Sequence, residues 1–128
     1  MLERVADGVF DSQVEPQWTA EFLADPRHHI AVAIAGGEVV GMASAVHYIH
    51  PDKPPEFWVN EVGVAFAYER HGIGRRLLRT LFAHGRSLGC TEAWLVTLPD
   101  NLPARRFYAA LGGVEAPMVY VAFDLERV

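Results

Sequence analysis

Several features are scarce in this chain, and each scarcity excludes a class of protein. One cysteine, Cys90, stands among 128 residues, which excludes an internal disulfide and a multi-cysteine metal site. No apolar run approaches the roughly 20 residues that a membrane-spanning helix needs. The first residues lack the apolar core of a signal peptide. We therefore expect a cytoplasmic protein without a membrane partner and without a metal.

Basic charge is scarce as well. The chain has 11 Lys and Arg against 16 Asp and Glu, a net charge of −5 with neutral histidines. Because nucleic-acid-binding domains are usually basic, no nucleic-acid partner is expected, whereas a cationic small substrate is compatible. The composition, 51% hydrophobic and 21% charged, is that of an ordinary globular protein. The length predicts a single domain over residues 1–128.

Helical and strand-like hydrophobic patterns alternate along the chain, which is typical of a mixed α/β fold. Helices are predicted at residues 2–9, 16–24, 72–88 and 104–111. Strands are predicted at residues 30–35, 38–48, 57–64, 91–98 and 118–125. The pair Gly36-Gly37 indicates a hairpin turn between the first two strands.

The segment at residues 61–76 is the most informative one, because it reads as strand, loop, glycine-rich turn and helix start. A helix start presents unpaired N–H groups and the positive end of the helix dipole. Gly72 and Gly74 would let a phosphate approach that backbone closely. Three arginines crowd the same end: Arg70, Arg75 and Arg76. The alternative is that they are solvated residues beside an ordinary helix start, since short glycine motifs occur widely.

A second informative segment covers residues 99–112. Asp100 or Asn101 is predicted to cap the helix that follows. Phe107 and Tyr108 on that helix fit either core packing or a functional role.

These two segments, in this order, resemble motifs of the GNAT superfamily of N-acetyltransferases, and the resemblance covers roughly residues 2–125. The family's acyl-CoA motif, Arg/Gln-x-x-Gly-x-Gly/Ala, corresponds to Glu69-Arg70-His71-Gly72-Ile73-Gly74. Its later motif, Asn-x-x-Ala-x-x-Phe/Leu-Tyr-x-x-x-Gly, corresponds to Asn101, Ala104, Phe107, Tyr108 and Gly112. Glu69 departs from the family pattern, and we expect its carboxylate to turn to solvent or to pair with Arg70.

Within the superfamily the chain looks most like the aminoglycoside 3-N-acetyltransferase branch. The features that suggest this are the proline-bearing loop at residues 51–55, the acidic residue before Val62-Gly63-Val64 and the ending Phe123-Asp124-Leu125. The acceptor that this branch implies is a small cationic amine, aminoglycoside-like.

The resemblance implies a V-splayed mixed sheet flanked by helices, with acetyl-CoA in the opening. It implies that backbone groups of Val62 and Val64 pair with the pantetheine and that the N–H groups of residues 71–75 hold the pyrophosphate. It places Asn101 on the pantetheine arm and Tyr108 near the thioester sulfur. The cofactor-binding residues so implied are Val62, Gly63, Val64, Arg70, His71, Gly72, Ile73, Gly74, Arg75, Asn101 and Tyr108.

Direct transfer to a primary amine needs a base or a water relay to take the amine proton, and a proton or a hydrogen bond for the leaving thiolate. Glu61 is the predicted base and a substrate contact, because a carboxylate in an apolar strand is costly unless it serves a site. The alternatives are a salt bridge to an arginine or a surface position past a bulge at Gly63. Under simple alternation, Asn60 would face the other side of the sheet.

Other residues are predicted to serve the same transfer. Tyr108, which the resemblance places near the sulfur, is the expected donor to the leaving thiolate. Trp58, His47 and His50 are further predicted substrate contacts.

An alternative function is a non-catalytic acyl-CoA-binding or protein-interaction module of the same fold. The family usually begins with a strand that this chain lacks, so the strand at residues 30–35 should lose a neighbour. An uncovered edge invites pairing, and we expect a homodimer.

Overall fold

The computed structural model describes residues 2–127, and these fall into two compact units that divide between Val96 and Thr97. The first unit contains α1 (Pro16–Ala24), β1 (His28–Ala35), β2 (Glu38–Tyr48), β3 (Glu56–Val64), a 3-10 turn (Phe66–Tyr68), α2 (Ile73–Ser87) and β4 (Ala93–Trp94). The second unit contains α3 (Leu102–Ala110). No helix within the described range is long and apolar enough to cross a bilayer.

The four strands form one mixed sheet in the order β1-β2-β3-β4. The first three strands are antiparallel, and β4 pairs with β3 in parallel over only Phe57–Ala93 and Trp58–Trp94. The turn between β1 and β2 is the predicted one, with Gly36 and Gly37 at φ +58° and +76°. As expected, β1 lies at the edge of the sheet.

Helix α2 covers one face of this sheet with the predicted leucine stripe. Leu77, Leu78 and Leu81 are buried. The helix lies close because glycines stand at the contact: a Cβ on Gly41 would come within 3.0 Å of Ile73, and one on Gly85 within 3.1 Å of Phe57. The exposed arginines of α2 face away from this core.

The N-terminal segment, residues 2–14, covers the opposite face. Val39 donates its N–H to the Arg4 carbonyl at 2.8 Å, and Ala6 donates to the Val39 carbonyl at 2.9 Å. Val9 is buried in a core with Val39, Val40, Met42 and Ala65. The helix predicted at residues 2–9 is therefore wrong, because these backbone groups pair with β2 and not with each other.

The strand predicted at residues 118–125 is also absent. A strand needs a ladder partner for its N–H and C=O groups, and the second unit by itself contains α3 but no sheet. Val119 and Tyr120 in this segment are 87% and 83% exposed. The strand predicted at residues 91–98 shrinks to β4, while α1 and β2 have the predicted bounds.

The contact between Val9 and Gly63 yields a stability prediction. A Cβ on Gly63 would lie 1.8 Å from the Val9 carbonyl oxygen. Gly63→Ala should therefore displace the N-terminal segment and lower the free energy of unfolding by about 3 kcal/mol or more, at the upper end of overpacking costs. Urea denaturation measures this change.

Gly36→Ala is the matched control, because a Cβ there has no neighbour within 4 Å but would sit at positive φ. It should cost only about 1–2 kcal/mol. Equal losses in the two variants would contradict the close contact.

Candidate functional site

The glycine-rich turn forms the start of α2, as predicted. Gly72 occupies the N-cap position at φ +76°, and no side chain caps the first turn. A Cβ on Gly72 would have no heavy atom within 4 Å, so the space before the helix is open. The first-turn N–H groups therefore point to an open site without a side-chain partner. This arrangement suits an anion.

Positive charge surrounds this turn. Arg70, Arg75 and Arg76 are exposed, and the first turn of α2 contains no acidic residue. Arg70 has φ +63°, a conformation that costs free energy for a residue other than glycine. The His71 Nδ1 lies 2.8 Å from the Glu69 carbonyl oxygen, a hydrogen bond that stabilises the turn.

The Glu69 carboxylate is exposed and forms no ion pair with Arg70 within the described part of the chain. The solvent-facing alternative for this unusual residue is therefore confirmed. Arg70 is therefore not neutralised by Glu69 and can meet an anion.

The residues present fit the pyrophosphate and pantetheine of a coenzyme A thioester. The open glycine turn matches the pyrophosphate position implied for residues 71–75. The β3–β4 ladder ends at Trp58. The backbone groups of residues 62–64 that face away from β2 therefore have no partner in β4 and can pair with a pantetheine arm. The glycine at position 63 has a structural reason that is separate from any cofactor, because a Cβ there would clash with the Val9 carbonyl.

Glu61 follows a bulge in β3 that the sequence did not reveal. Ser44 on β2 pairs with Glu61, but Ala45 pairs with Val59, so Asn60 is an extra residue. Both Asn60 and Glu61 are exposed. The strict alternation predicted for this pair is wrong here, because a bulge shifts the side-chain period by one residue.

Glu61 lines a cavity of about 430 Å³ between the N-terminal segment, α1 and the sheet. Other lining residues are Asp11, Trp18, Phe22 and Ser44. Partial burial in the cavity raises the pKa of the Glu61 carboxyl, and the nearby Asp11 carboxylate raises that pKa further. A carboxylate with a raised pKa in a concave site is suited to take a proton.

The other predicted substrate contacts lie elsewhere in the first unit. His47 Nδ1 is 2.7 Å from His29 Nε2, and His29 Nδ1 is 3.1 Å from His84 Nε2 on α2. His50 Nε2 lies 2.6 Å from a carboxylate oxygen of Glu56. The structure does not bring these histidines to the cavity of Glu61, and their contact with a substrate stays a prediction.

Trp58 stacks on Trp94, with ring centroids 5.2 Å apart and planes within 6°. It is 36% exposed and does not line the cavity of Glu61. Its contact with a substrate also stays a prediction.

In the second unit, Asn101 is the predicted cap of α3, and its Oδ1 accepts the Ala104 N–H at 3.2 Å. Tyr108 is half-buried, and burial raises the pKa of its hydroxyl. Tyr108 is therefore protonated at neutral pH, so its hydroxyl is available as an O–H donor. Arg105 makes a two-pronged ion pair to Glu115, with both N···O distances 2.8 Å.

Ser44 and Asp11 are site residues that the sequence analysis missed. Ser44 is 6% exposed and is the one hydroxyl in the apolar middle of β2. A single hydroxyl in an apolar stretch of strand was the sequence signal that could have identified Ser44 as a site residue. Asp11 had none, because its place follows from how the N-terminal segment lies on the sheet.

Comparison with known proteins shows where this architecture recurs. The model of the acetyltransferase (GNAT) family matches residues 2–112. The N-alpha-acetyltransferase RimI of Mycobacterium tuberculosis is 38% identical over 90 residues, 70% of this chain and 54% of that protein. N-alpha-acetyltransferase 40 of Saccharomyces cerevisiae is 40% identical over 77 residues, 54% of this chain and 27% of that protein. The chain thus spans about half or less of these relatives.

A solved structure of an aminoglycoside acetyltransferase from an uncultured soil metagenomic sample has a TM-score of 0.81 at 17% identity. The match covers 88% of this chain and 76% of that one. The predicted GNAT-like mixed α/β fold is confirmed.

The histidine cluster makes stability depend on pH. Burial first, and then the nearby His84 and His47, lower the pKa of His29 from 6.5 to about 4. Between pH 6.5 and about pH 4, His29 is protonated in the unfolded chain but neutral in the folded protein. The free energy of unfolding therefore falls as the pH falls through this range. His29→Gln should reduce this loss, measured by urea denaturation at pH 7 and pH 4.5.

His71→Gln, which removes an exposed histidine outside the cluster, serves as the control. An unchanged pH slope in His29→Gln would contradict the assignment.

Proposed function

The chain belongs to the GNAT family of acetyltransferases, and on that premise we propose that it transfers an acetyl group from acetyl-CoA to a primary amine of a small cationic substrate. The observation that carries the proposal is the open, uncapped glycine start of α2 with its arginines. Members of this family use acetyl-CoA, whose phosphates suit that site. The acidic cavity of Glu61 suits the amine.

The chemistry divides between two residues. Acetyl-CoA supplies an acetyl group activated as a thioester. The Glu61 carboxylate removes the proton of the substrate ammonium, so that the nitrogen lone pair is free to form the N–C bond. Tyr108 donates its proton to the sulfur as the C–S bond breaks, and its phenolate regains a proton from the acylated nitrogen, which must lose its second proton to become the neutral amide. The raised pKa of Glu61 brings its proton affinity nearer to that of the amine, which favours the transfer.

The positions of the remaining groups follow the family motifs. We assign the pyrophosphate to the N–H groups of residues 71–75, with Arg70 and Arg75 adding charge. We assign the pantetheine to backbone groups of Val62 and Val64 and to Asn101. The Asn101 Oδ1 already caps α3, so its amide N–H groups are the ones that remain for a ligand.

An aminoglycoside-like amine is the acceptor we favour, because the cavity of Glu61 is acidic. A second candidate acceptor is the α-amine of a peptide or protein. The names of the two curated relatives favour it, since both are N-alpha-acetyltransferases. A small-amine panel and a short-peptide panel compare the two directly. Cytoplasmic location and a homodimer remain predictions.

The proposal is tested by binding and turnover together. Coenzyme A should shift the amide NMR signals of residues 71–75, and acetyl-CoA with an amine panel should release the free thiol. Shifts without turnover on any amine or peptide would favour the non-catalytic binding module. Unmoved amide signals at saturating coenzyme A would remove the proposal altogether.

The proton donor is tested separately. Tyr108→Phe should lower kcat by about 10²-fold, the lower end of general-acid contributions, while coenzyme A affinity measured by calorimetry stays unchanged. Tyr120→Phe, an exposed tyrosine of the same unit, is the matched control and should leave kcat intact. Equal turnover in wild type and Tyr108→Phe would exclude Tyr108 from the chemistry.

A further inference from the structure

We propose that the cavity of Glu61 selects acceptors that carry a second ammonium group, with Ser44 and Glu61 receiving the reacting amine and Asp11 receiving the second one. The ligand class is a small molecule with two or more ammonium groups, for which an aliphatic diamine is the simplest probe. This inference rests on the proposed acetyl transfer and deepens it, since it concerns the acceptor side of the same site.

Ser44 provides the first observation. It is 6% exposed, lines the cavity, and its hydroxyl has no hydrogen-bond partner among residues 2–127. The hydroxyl oxygen itself is accessible from the cavity, so an amine bound there can replace water as its hydrogen-bond partner. Ser44 is also the register partner of Glu61. Side chains of such partners lie close together on one face, so hydroxyl and carboxylate can accept two N–H groups of one amine.

Charge in the cavity provides the second observation. Its lining includes the carboxylates of Asp11, Glu15 and Glu61, and no Lys, Arg or His among the described residues. None of the three carboxylates forms an ion pair within that part of the chain. Glu15 stands before α1 without capping it. One ammonium would leave most of this negative charge unbalanced, whereas a second ammonium offsets it.

Asp11 is the residue placed to receive that second charge. Its carboxylate interacts electrostatically with Glu61, so the two groups share one space. Phe22 and Ile30 supply apolar walls for the methylenes between two amines. Trp18, 66% exposed, offers a ring face that can bind a cation. A volume of about 430 Å³ lies within the range of small-molecule sites.

The experiment compares 1,5-diaminopentane with 1-aminopentane, which differ only in the second amine. Wild type should show a kcat/KM about tenfold higher for the diamine. Asp11→Asn should lower kcat/KM about fivefold for the diamine alone, the upper value for a solvent-accessible ion pair. Ser44→Ala should lower kcat/KM about tenfold for both amines, as expected for a lost hydrogen bond to a charged group.

Glu21→Gln is the matched control, because Glu21 is an exposed carboxylate of α1 that does not line the cavity. It should change neither kcat/KM value. Thermal denaturation of Ser44→Ala shows whether that variant keeps its fold.

Calorimetry of diamine binding in the presence of coenzyme A separates this inference from the proposed function. Diamine binding that Asp11→Asn weakens, without turnover, supports the diamine site and removes acetyl transfer. Turnover with equal kcat/KM for both amines, or an equal loss for both in Asp11→Asn, overturns the diamine site and leaves acetyl transfer standing. Turnover confined to peptides also overturns it.

Discussion

The contact between the Val9 carbonyl and Gly63 is the constraint on which the cavity of Glu61 depends. It leaves no room for a Cβ on β3, so the N-terminal segment can lie directly on the sheet. Val9 then joins the core of Val39 and Met42. The residues that follow it, Phe10 and Asp11, are thereby held over Ser44 and Glu61. A site formed in this way has one wall without regular secondary structure, and its shape depends on packing against the sheet.

The first unit separates its charges in a way that the net charge of −5 conceals. The start of α2 is basic and has its glycine turn open to solvent. The cavity of Glu61 is acidic and partly buried. Such separation attracts anions to the start of α2 and cations to the cavity of Glu61, because each region repels ions of its own sign. The two sites use different devices, a helix dipole in one and side-chain carboxylates in the other.

Local signals explain which parts of this structure could be predicted. Pro16 and Asp25-Pro26 delimit α1, Gly36-Gly37 fixes the hairpin, and Gly89 follows the end of α2. The glycine turn before α2 could also be predicted, because the spacing of its glycines is a local signal. Residues 2–9 and 118–125 were mispredicted because their apolar patterns fit a helix and a strand, whereas the outcome depends on distant pairing partners. The bulge at Asn60 and the cavity with Ser44 and Asp11 were missed because they arise from register between strands and from contact with the N-terminal segment.

The stacked pair of Trp58 and Trp94 stands where β3 and β4 stop pairing. Two indoles at 5.2 Å in nearly parallel planes share their electronic excitation, so the pair gives an exciton contribution to circular dichroism. The third tryptophan, Trp18, is on α1 and belongs to no such pair. The chain therefore contains an intrinsic optical reporter of the point at which β3 and β4 stop pairing. Opening or tightening of that junction would change the spectrum without an added label.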